Sequence, residues 1–480
     1  MSTPRNQASR ERAARWPLVG ALLILAAVSA PALGLGSVAP RLPVAPGFAR
    51  PTPPLLAPTS RDRVLVLAPH PDDESVPCGG LISEAVAAGA QVRVVYATYG
   101  DAFRTAAQKI FSESVVPSRD YLRLAEMRHR EALAALAVLG LSHDHAVFLG
   151  YPDRGLDRLW LSHWELSSPY LSPYTNTDHG PYPNAYRPGR PYSGLALLED
   201  LEAVIAEFRP TLIVAPHPLD THADHWALYC FTLAALSQRG LLGRLPLWLY
   251  LVHPSSKWLS PTRHLLDPTA PPAHTDEVKT HWSSLALTED AARRKREAIE
   301  KHATQLLLMH DFLLNFARKR ELYGQIAPSR LPEIALNGPS LTQAGWRRLP
   351  TAIVRFAEDA GRKPILPAAN LLALRAAESP DRLLLRLDLA AKPSPEVQYR
   401  VHLYPLADGK AAPRTYTLQL GKPTPDVAFR AAGRSLDIEI RGIGISPDGV
   451  MLALDTRRGK TELDRTAWVL LKPDRRTVTR

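Results

Sequence analysis

The sequence predicts an α/β domain with a doubly wound, Rossmann-like, mostly parallel sheet, followed by an all-β, sandwich-like domain. Between residues 63 and about 330, short β-branched runs alternate with amphipathic helical stretches, which is the pattern of βα units in a parallel sheet. Beyond about residue 345, short alternating runs are separated by Pro, Gly and Asp turns, which is typical of antiparallel strands. A length of 480 residues also exceeds that of one ordinary domain.

The predicted strands and helices have the following ranges in the two regions. In the first region we expect strands at 64–68, 91–98, 146–149, 211–215 and 245–252. The expected helices are 80–88, 119–139, 195–208, one beginning after His225, and two closing helices at about 289–308 and 312–323. In the second region the clearest strands are 383–389, 397–406, 415–420, 436–440 and 451–454.

The N-terminal sequence is typical of an export signal. Four arginines among the first 15 residues precede an uncharged stretch at 16–40 with an apolar centre. Such a segment suits a cleaved signal peptide, and its apolar span equally suits a retained membrane anchor. We therefore expect residues 1–36 to be a signal peptide or membrane anchor and 37–61 to be a Pro-rich linker. The α/β domain would occupy 62–330 and the β-sandwich domain 345–480.

Composition narrows the classes of function and of metal site. With 45% hydrophobic and 22% charged residues, the chain has the composition of a globular protein. The net charge of +11 is concentrated in the first 15 residues and beyond residue 330. The α/β region is near neutral, which argues against a nucleic-acid groove there. Because the chain has only two cysteines, any metal must be held by histidines and carboxylates.

Two clusters of polar residues follow predicted strands and carry the chemistry. Residues 69–74, Pro-His-Pro-Asp-Asp-Glu, come directly after the first strand, and residues 217–225 come directly after the strand at 211–215. The carboxyl ends of strands in a doubly wound sheet are where ligands bind. Histidines with adjacent carboxylates there suit metal ligation, because a strand-to-helix turn points neighbouring side chains into one crevice. One carboxylate can then bind the metal while its neighbour stays free as a base.

These motifs resemble those of the PIG-L or LmbE-like de-N-acetylases. The family signature A-H-P-D-D-E is similar to residues 69–74, with Pro69 in place of the alanine, and the motif H-x-D-H is similar to residues 222–225. Further similar positions are Arg130-Glu131, 149–153 and 295–305. The resemblance covers about residues 62–323 and reaches neither the N-terminal segment nor the β domain.

The resemblance implies a metal site and roles for its neighbours. His70, Asp73 and His225 would bind zinc and leave a position open for water. Ferrous iron also suits two histidines and one carboxylate, so Zn2+ is favoured and Fe2+ stays open.

Three more residues would act on the substrate amide. Asp72 would be the general base. His222 would stabilise the oxyanion or pass a proton to the leaving amine, and Asp224 would orient His222.

Other residues are candidates for substrate binding. Asp153 matches a family position associated with sugar hydroxyls, and Arg104 is a candidate substrate contact; a turn aspartate and a solvent-facing arginine are the alternatives. We expect Glu74 to be structural or to support a ligand, and not to bind the metal itself. A long aromatic-rich insertion at 151–192 is expected to form a lid or substrate wall. The alternative is that its aromatics pack on the domain or on the β-sandwich.

The predicted function is an exported, metal-dependent hydrolase that removes the N-acetyl group from a GlcNAc-containing glycan or glycolipid. The periplasm or cell envelope is the expected location, with the N-terminal segment as an optional membrane tether, and no nucleic-acid partner is expected. One alternative is an amidase acting on another N-acyl or thiol-sugar conjugate. Another is a non-catalytic envelope glycan-binding protein, against which the intact Asp72 argues. The β-sandwich would bind glycan or position the catalytic domain.

Overall fold

The computed structural model describes residues 52–253, 278–334, 345–346, 354–355, 366–406 and 411–474. The predicted signal or anchor segment at 1–36 and most of the linker at 37–61 lie outside these ranges. Within them, no helix is long and apolar enough to span a bilayer. The domain limits given above stay a prediction.

The α/β region alternates strands and helices as predicted. Its strands are β1 (Arg63–Ala68), β2 (Gln91–Thr98), β3 (Ala146–Tyr151), β4 (Leu212–Pro216), β5 (Leu247–Tyr250), β6 (Thr280–Ala286) and β7 (Arg320–Ile326). Its helices are α1 (Gly79–Ala87), α2 (Arg104–Phe111), α3 (Ser118–Val138), α4 (Leu156–Leu161), α5 (Gly194–Phe208), α6 (Ala223–Gln238), α7 (Glu289–Ile299) and α8 (Ala303–Leu314).

In the described ranges, seven strands form one mixed sheet in the order β3-β2-β1-β4-β5-β7-β6. The five strands from β3 to β5 run parallel, while β7 and β6 add an antiparallel edge. This confirms the predicted doubly wound, mostly parallel sheet. Because β2 and β3 lie on one side of β1 while β5 lies beyond β4, the chain switches direction between β1 and β4. The crevice at such a switch point is where these sheets bind ligands.

The sequence of β1 explains its central place. Its residues 64–68 are all buried, and strands covered by helices on both faces need such a continuous apolar run. The polar residues that follow β1 and β4 therefore emerge side by side at the carboxyl edge of the sheet.

Two of the predicted helices are wrong. The helix expected at 289–308 is two helices, α7 and α8, separated by a turn whose last residue is His302. The helix expected at 312–323 ends at Leu314, and residues from 320 form strand β7. In β7, Glu321 and Tyr323 are buried while Arg320 is exposed, so this segment follows the two-residue period of a strand.

Glu321 of β7 secures α1 against the sheet. Its two carboxylate oxygens accept the backbone N–H groups of Gly80 and Leu81 at 2.7 and 2.8 Å. The ammonium of Lys295, which is 1% exposed, donates to the same carboxylate at 2.7 Å. Glu321 thus satisfies two N–H groups that a helix start leaves without partners, together with a buried cation.

We expect Glu321→Ala to lower the free energy of unfolding by about 3–5 kcal/mol, because it leaves the charge of Lys295 buried and unpaired. The matched control is Glu289→Ala, which removes an exposed ion pair with Lys319 and should change the free energy by less than about 1 kcal/mol. Denaturant titration measures both. Equal losses in the two variants would contradict this account.

The β region contains two packed sheets, as predicted. Its strands are β8 (Ser329–Leu331), β9 (Val354–Arg355), β10 (Leu371–Ser379), β11 (Arg382–Leu389), β12 (Gln398–Pro405), β13 (Arg414–Leu418), β14 (Val427–Ala432), β15 (Ser435–Arg441), β16 (Val450–Arg458), β17 (Thr461–Arg465) and β18 (Val469–Pro473). In the described ranges one sheet has the order β14-β15-β11-β10-β9 and the other β13-β12-β16-β18-β8, with β17 on β16. Pairing is antiparallel except between β8 and β18. Leucines and isoleucines alternating inward fill the space between the sheets.

Candidate active site

The loop after β1 brings the first motif to the edge of the sheet. His70 and Asp73 are buried, at 7% and 2% exposure. The Nδ1 atom of His70 lies 3.2 Å from Oδ2 of Asp73, which also accepts the backbone N–H of His70 at 3.0 Å. The turn is tight enough to present both side chains to one point.

The second motif reaches the same point from β4. His222 is the residue before α6, and Asp224 and His225 lie in the first turn of that helix. The Nε2 atom of His225 lies 3.3 Å from the same Oδ2 of Asp73. The rings of His70 and His225 have centroids 5.4 Å apart. The predicted ligands His70, Asp73 and His225 therefore converge.

The donor set fits a metal ion. Ligand atoms about 2.0–2.2 Å from a tetrahedral zinc lie roughly 3.3–3.6 Å from one another, close to the 3.2 and 3.3 Å separations at Asp73. Both ring nitrogens of His225 are buried and make no hydrogen bond, although Nε2 lies 3.3 Å from Asp73 and Nδ1 lies 3.0 Å from Asp220. A buried polar nitrogen without a hydrogen-bond partner, aimed at a carboxylate, is what a missing cation would leave.

The described residues include three overlapping groups of histidines and carboxylates whose donor atoms lie within 4.8 Å of one another. These groups are His70, His222 and His225; Asp220, His225 and His253; and His70, Asp153 and Asp224. None of the three contains Asp73, but each contains His70 or His225. The two histidines thus present one nitrogen toward Asp73 and the other toward a second carboxylate.

Those second carboxylates hold the histidines in place. Asp220 Oδ2 lies 3.0 Å from Nδ1 of His225, and Asp224 Oδ2 lies 3.0 Å from Nε2 of His70. A carboxylate behind a metal-binding histidine fixes its ring and tautomer. The prediction that Asp224 orients the His222 side chain therefore needs correction. The carboxylate of Asp224 bonds to His70, and only its backbone N–H reaches Nδ1 of His222, at 3.3 Å.

Asp72 lies beside the three converging residues in a strained backbone conformation, with φ of +138°. Its N–H donates to Glu74 Oε2 at 3.0 Å, and Glu74 also accepts from His302 Nε2 at 2.8 Å. Strain of this kind persists only where surrounding contacts impose it. Glu74 is thus a structural partner of the turn, as expected.

Arg128 of α3 holds the other side of the turn. It is 4% exposed, donates to the backbone oxygens of Pro71 and Gly100 at 2.9 and 2.7 Å, and lies 3.6 Å from Oδ2 of Asp72. Gly100 has φ of +68°, and a Cβ there would lie 2.2 Å from the guanidinium. Glycine at 100 therefore makes room for Arg128 beside Asp72.

The two neighbouring aspartates differ in acidity. Burial, together with the negative charge of Asp73, raises the pKa of Asp72 to about 6. Burial also opposes ionisation of Asp73, but the positive charge of His225 and the hydrogen bond of His70 hold its pKa well below the usual range. One carboxylate is therefore firmly anionic, and the other is close to the pKa that suits a general base near neutral pH.

The histidines differ in the same way. Burial lowers the pKa of His225, but the charges of Asp220 and Asp73 outweigh it and raise the pKa to about 10. Burial and the charges of the neighbouring histidines hold the pKa of His222 well below 6.5. His222 is thus neutral, and since its Nδ1 accepts the N–H of Asp224, its proton is on Nε2. That tautomer is a hydrogen-bond donor.

The predicted substrate contacts have separate outcomes. Asp153 lies in the site, with Oδ1 at 3.4 Å from His70 Nε2 and Oδ2 accepting from the N–H of Ala102 at 2.7 Å. Arg104 is exposed at the start of α2, where its charge acts on Tyr121. The structure thus brings Asp153, and not Arg104, to the histidines.

The aromatic insertion packs mainly into the core. Trp160, Trp164, Tyr182 and Tyr192 are all buried, and Trp160 contacts Tyr404 and Trp468 of the β region. This favours the packing alternative over a lid of sugar-stacking rings for these four residues.

Sequence reasoning gave no role to three residues of the site: Asp220, His253 and Arg128. His253 follows β5, and its ring centroid lies 4.8 Å from that of His225. The carboxyl-edge rule that identified the other two loops would have found it. Arg128 could have been found as an arginine on the buried face of α3, between Leu124 and Ala132.

We expect Asp220→Asn to weaken metal binding by about 10- to 100-fold, because it removes the anionic partner of His225 without removing a ligand. Competition with a chromophoric chelator measures the Kd. The control is Asp120→Asn. Asp120 is also a buried aspartate, but it lies on α3, and its substitution should leave the zinc Kd unchanged. An unchanged Kd in Asp220→Asn would contradict the supporting role.

The fold and the site define a class of protein. A Rossmann-like sheet carries histidines and carboxylates on the two loops at its switch point, with one aspartate beside the convergent set. Residues 65–236 match the family model PIG-L, described as GlcNAc-PI de-N-acetylase. This part of the chain is a PIG-L family domain, and the β region lies outside it.

Curated relatives match about half of the chain or less. The chain is 28% identical over 268 residues to the 1D-myo-inositol 2-acetamido-2-deoxy-alpha-D-glucopyranoside deacetylase of Tsukamurella paurometabola, covering 51% of this chain and 83% of that protein. It is 30% identical over 179 residues to the deacetylase of the same name from Mycobacterium sp. (strain KMS), covering 37% and 50%. The chain thus spans about half the length of the latter relative.

Solved structures that are similar to part of this chain include a deacetylase from the teicoplanin biosynthesis pathway. It is 20% identical, covers 55% of this chain and 98% of its own, and has a TM-score of 0.37. The N,N'-diacetylchitobiose deacetylase from Pyrococcus horikoshii is also 20% identical, covers 56% and 84%, and has a TM-score of 0.35.

Proposed function

We propose that this chain is a metal-dependent hydrolase that removes the N-acetyl group from a GlcNAc-containing glycan or glycolipid. One observation carries the proposal. Nitrogens of His70 and His225 meet a single oxygen of Asp73 at 3.2 and 3.3 Å, and Asp72 stands beside them outside that set. A binding protein has no need of a second, separately held carboxylate at this point.

His70, Asp73 and His225 are the residues that would hold the metal, for which zinc is favoured and ferrous iron is the alternative. A bound ion of this kind supplies Lewis acidity, which polarises an amide carbonyl and makes water more acidic. The carboxylates of Asp220 and Asp224 keep the two histidine rings in the orientation that this ligation requires.

The remaining residues act on the amide. Asp72 takes a proton from the attacking water as the water oxygen bonds to the carbonyl carbon. The Nε2–H group of His222 donates a hydrogen bond to the carbonyl oxygen as negative charge develops on that oxygen. The C–N bond then breaks and the amine nitrogen takes the proton held by Asp72. Water and the amide are consumed, and acetate and a free amine are formed.

The substrate class rests on the relatives. The curated relatives are named as deacetylases of a 2-acetamido-2-deoxy-glucopyranoside, and the matched family model is described as GlcNAc-PI de-N-acetylase. We carry the acetamido sugar over to this chain as its substrate class.

The location rests on the N-terminal sequence alone. Arginines followed by an apolar stretch at 16–40 favour export to the periplasm or cell envelope, with the segment either cleaved or kept as a membrane tether. In that compartment the substrates of this class are lipid-linked GlcNAc, peptidoglycan fragments and exopolysaccharide. The near-neutral α/β region gives no support to a nucleic-acid partner.

The proposal is tested by incubating zinc-loaded protein with GlcNAc, chitooligosaccharides, peptidoglycan fragments and lipid-linked GlcNAc. Acetate and free amine are assayed together. We expect equal amounts of both from at least one member of the panel, and the preferred member names the substrate. Absence of both products from every member, in protein that holds one zinc per chain, would contradict the proposal.

A further inference from the structure

Helix α6, which carries Asp224 and His225, is covered on every side. Each residue from Asp224 to Ser237 is buried, and a helix that is apolar all round must be enclosed by other elements. The sheet and α5 pack on one side of it. The β region packs on another, where Trp226 stacks on Trp468 at 6.2 Å and Ser237 donates to Asp448 at 2.8 Å.

Helix α4 is held by the same part of the β region. Trp160 of α4 is fully buried, with ring centroids 4.7 Å from Tyr404 and 5.7 Å from Trp468. Phe231 of α6 completes this group at 4.9 Å from Trp160. We call Trp160, Phe231, Tyr404 and Trp468 the aromatic seam. It belongs to one continuous apolar core that includes α4, α6 and strands of the β region.

These two helices also hold His70 and His225 in position. His225 belongs to α6 itself. His70 is held by Asp224, whose carboxylate also accepts the backbone N–H groups of Arg154 and Leu156 at 2.7 and 3.0 Å. Leu156 begins α4, and Arg154 has φ of +58°, a strained conformation that neighbouring contacts must maintain. A shift of α4 would therefore break the bond from Leu156 to Asp224 and disturb the carboxylate that holds His70.

We propose that the aromatic seam positions the metal site, so that the β region is a part of the catalytic unit and not an independent glycan-binding module. Trp468 acts through α4 and α6 and is therefore a positioning residue. The inference rests on the metal site proposed above. From the sequence, the β region was expected either to bind glycan or to position the catalytic domain. The inference assigns it the second role, because the face of the β region that meets α4 and α6 is covered by these helices.

The test compares zinc affinity in three variants of the full chain. Trp468→Ala opens the seam, and Trp468→Phe keeps an aromatic ring there. Leu385→Ala makes a cavity between the two β sheets, where Leu385 is fully buried in an apolar cluster separate from the seam. The zinc Kd is measured by chelator competition, and the unfolding midpoint of each metal-free protein is measured alongside.

We expect Trp468→Ala and Leu385→Ala both to lower the unfolding midpoint, and only Trp468→Ala to raise the zinc Kd, by about tenfold or more. Trp468→Phe should restore most of the affinity. If Trp468→Ala does not fold, Trp468→Leu takes its place in the comparison.

Two outcomes would overturn the inference. One is a wild-type Kd in the Trp468 variants that fold, and the other is an equal rise in Kd for Leu385→Ala. A wild-type chain that binds no zinc would instead overturn the metal site itself, and this inference with it.

Discussion

Asp72→Asn should lower kcat about 10²- to 10⁴-fold, the usual contribution of a general base, while leaving zinc bound. Asparagine keeps the shape of the side chain and cannot take a proton from water. Since Asp72 lies beside the convergent histidines and is not one of the three predicted ligands, the zinc Kd should stay within a few-fold of wild type. Acetate release and chelator competition on one preparation measure both quantities.

The fold should tolerate this change. Burial raises the pKa of Asp72 to about 6 in the metal-free protein, so ionisation of Asp72 destabilises the fold increasingly as the pH rises from its ordinary pKa to about 6, and fully above that pH. A neutral amide removes this destabilisation. The matched control is Asp144→Asn on an exposed turn, which should leave kcat unchanged. Wild-type turnover in Asp72→Asn would exclude Asp72 as the base.

His225→Ala should abolish stoichiometric zinc binding, and activity with it. The side chain is fully buried and supplies one of three protein ligands, so its loss should weaken binding well beyond the roughly 10- to 100-fold effect of losing an outer partner. Metal analysis after gel filtration measures the zinc content of each chain.

His310→Ala is the control for this variant, because His310 is an exposed histidine on α8 and should not change zinc content. Zinc at one equivalent in His225→Ala would place the metal elsewhere. The group of His70, Asp153 and Asp224, which is the one of the three described groups without His225, would then be the alternative.

The sequence was most informative where local pattern and position in the sheet agree. The apolar run of β1 and the polar residues directly after it predicted both a central parallel strand and a site at its carboxyl end. The second motif after β4 followed from the same rule. The convergence of His70, Asp73 and His225 could be expected because both loops emerge at one switch point.

What the sequence did not predict depends on contacts between distant segments. The role of Asp224 is set by the approach of the β1 loop to α6, so its nearest histidine in sequence was the wrong partner. Glu321 in β7 is buried because it meets Lys295 and α1, which a helical reading of 312–323 could not reveal. The aromatics of the insertion suggested a lid because two ring partners of Trp160, Tyr404 and Trp468, lie more than 200 residues later, in the β region.

The most direct test of the central claim is acetate release from an N-acetylglucosamine substrate as zinc is returned to metal-stripped protein. We predict no release without metal, a rate that rises until one equivalent per chain is bound, and a flat baseline for Asp72→Asn over the same titration. Release by the metal-free protein, or an unchanged titration curve in Asp72→Asn, would contradict the assignment of His70, Asp73 and His225 to the metal and of Asp72 to the base.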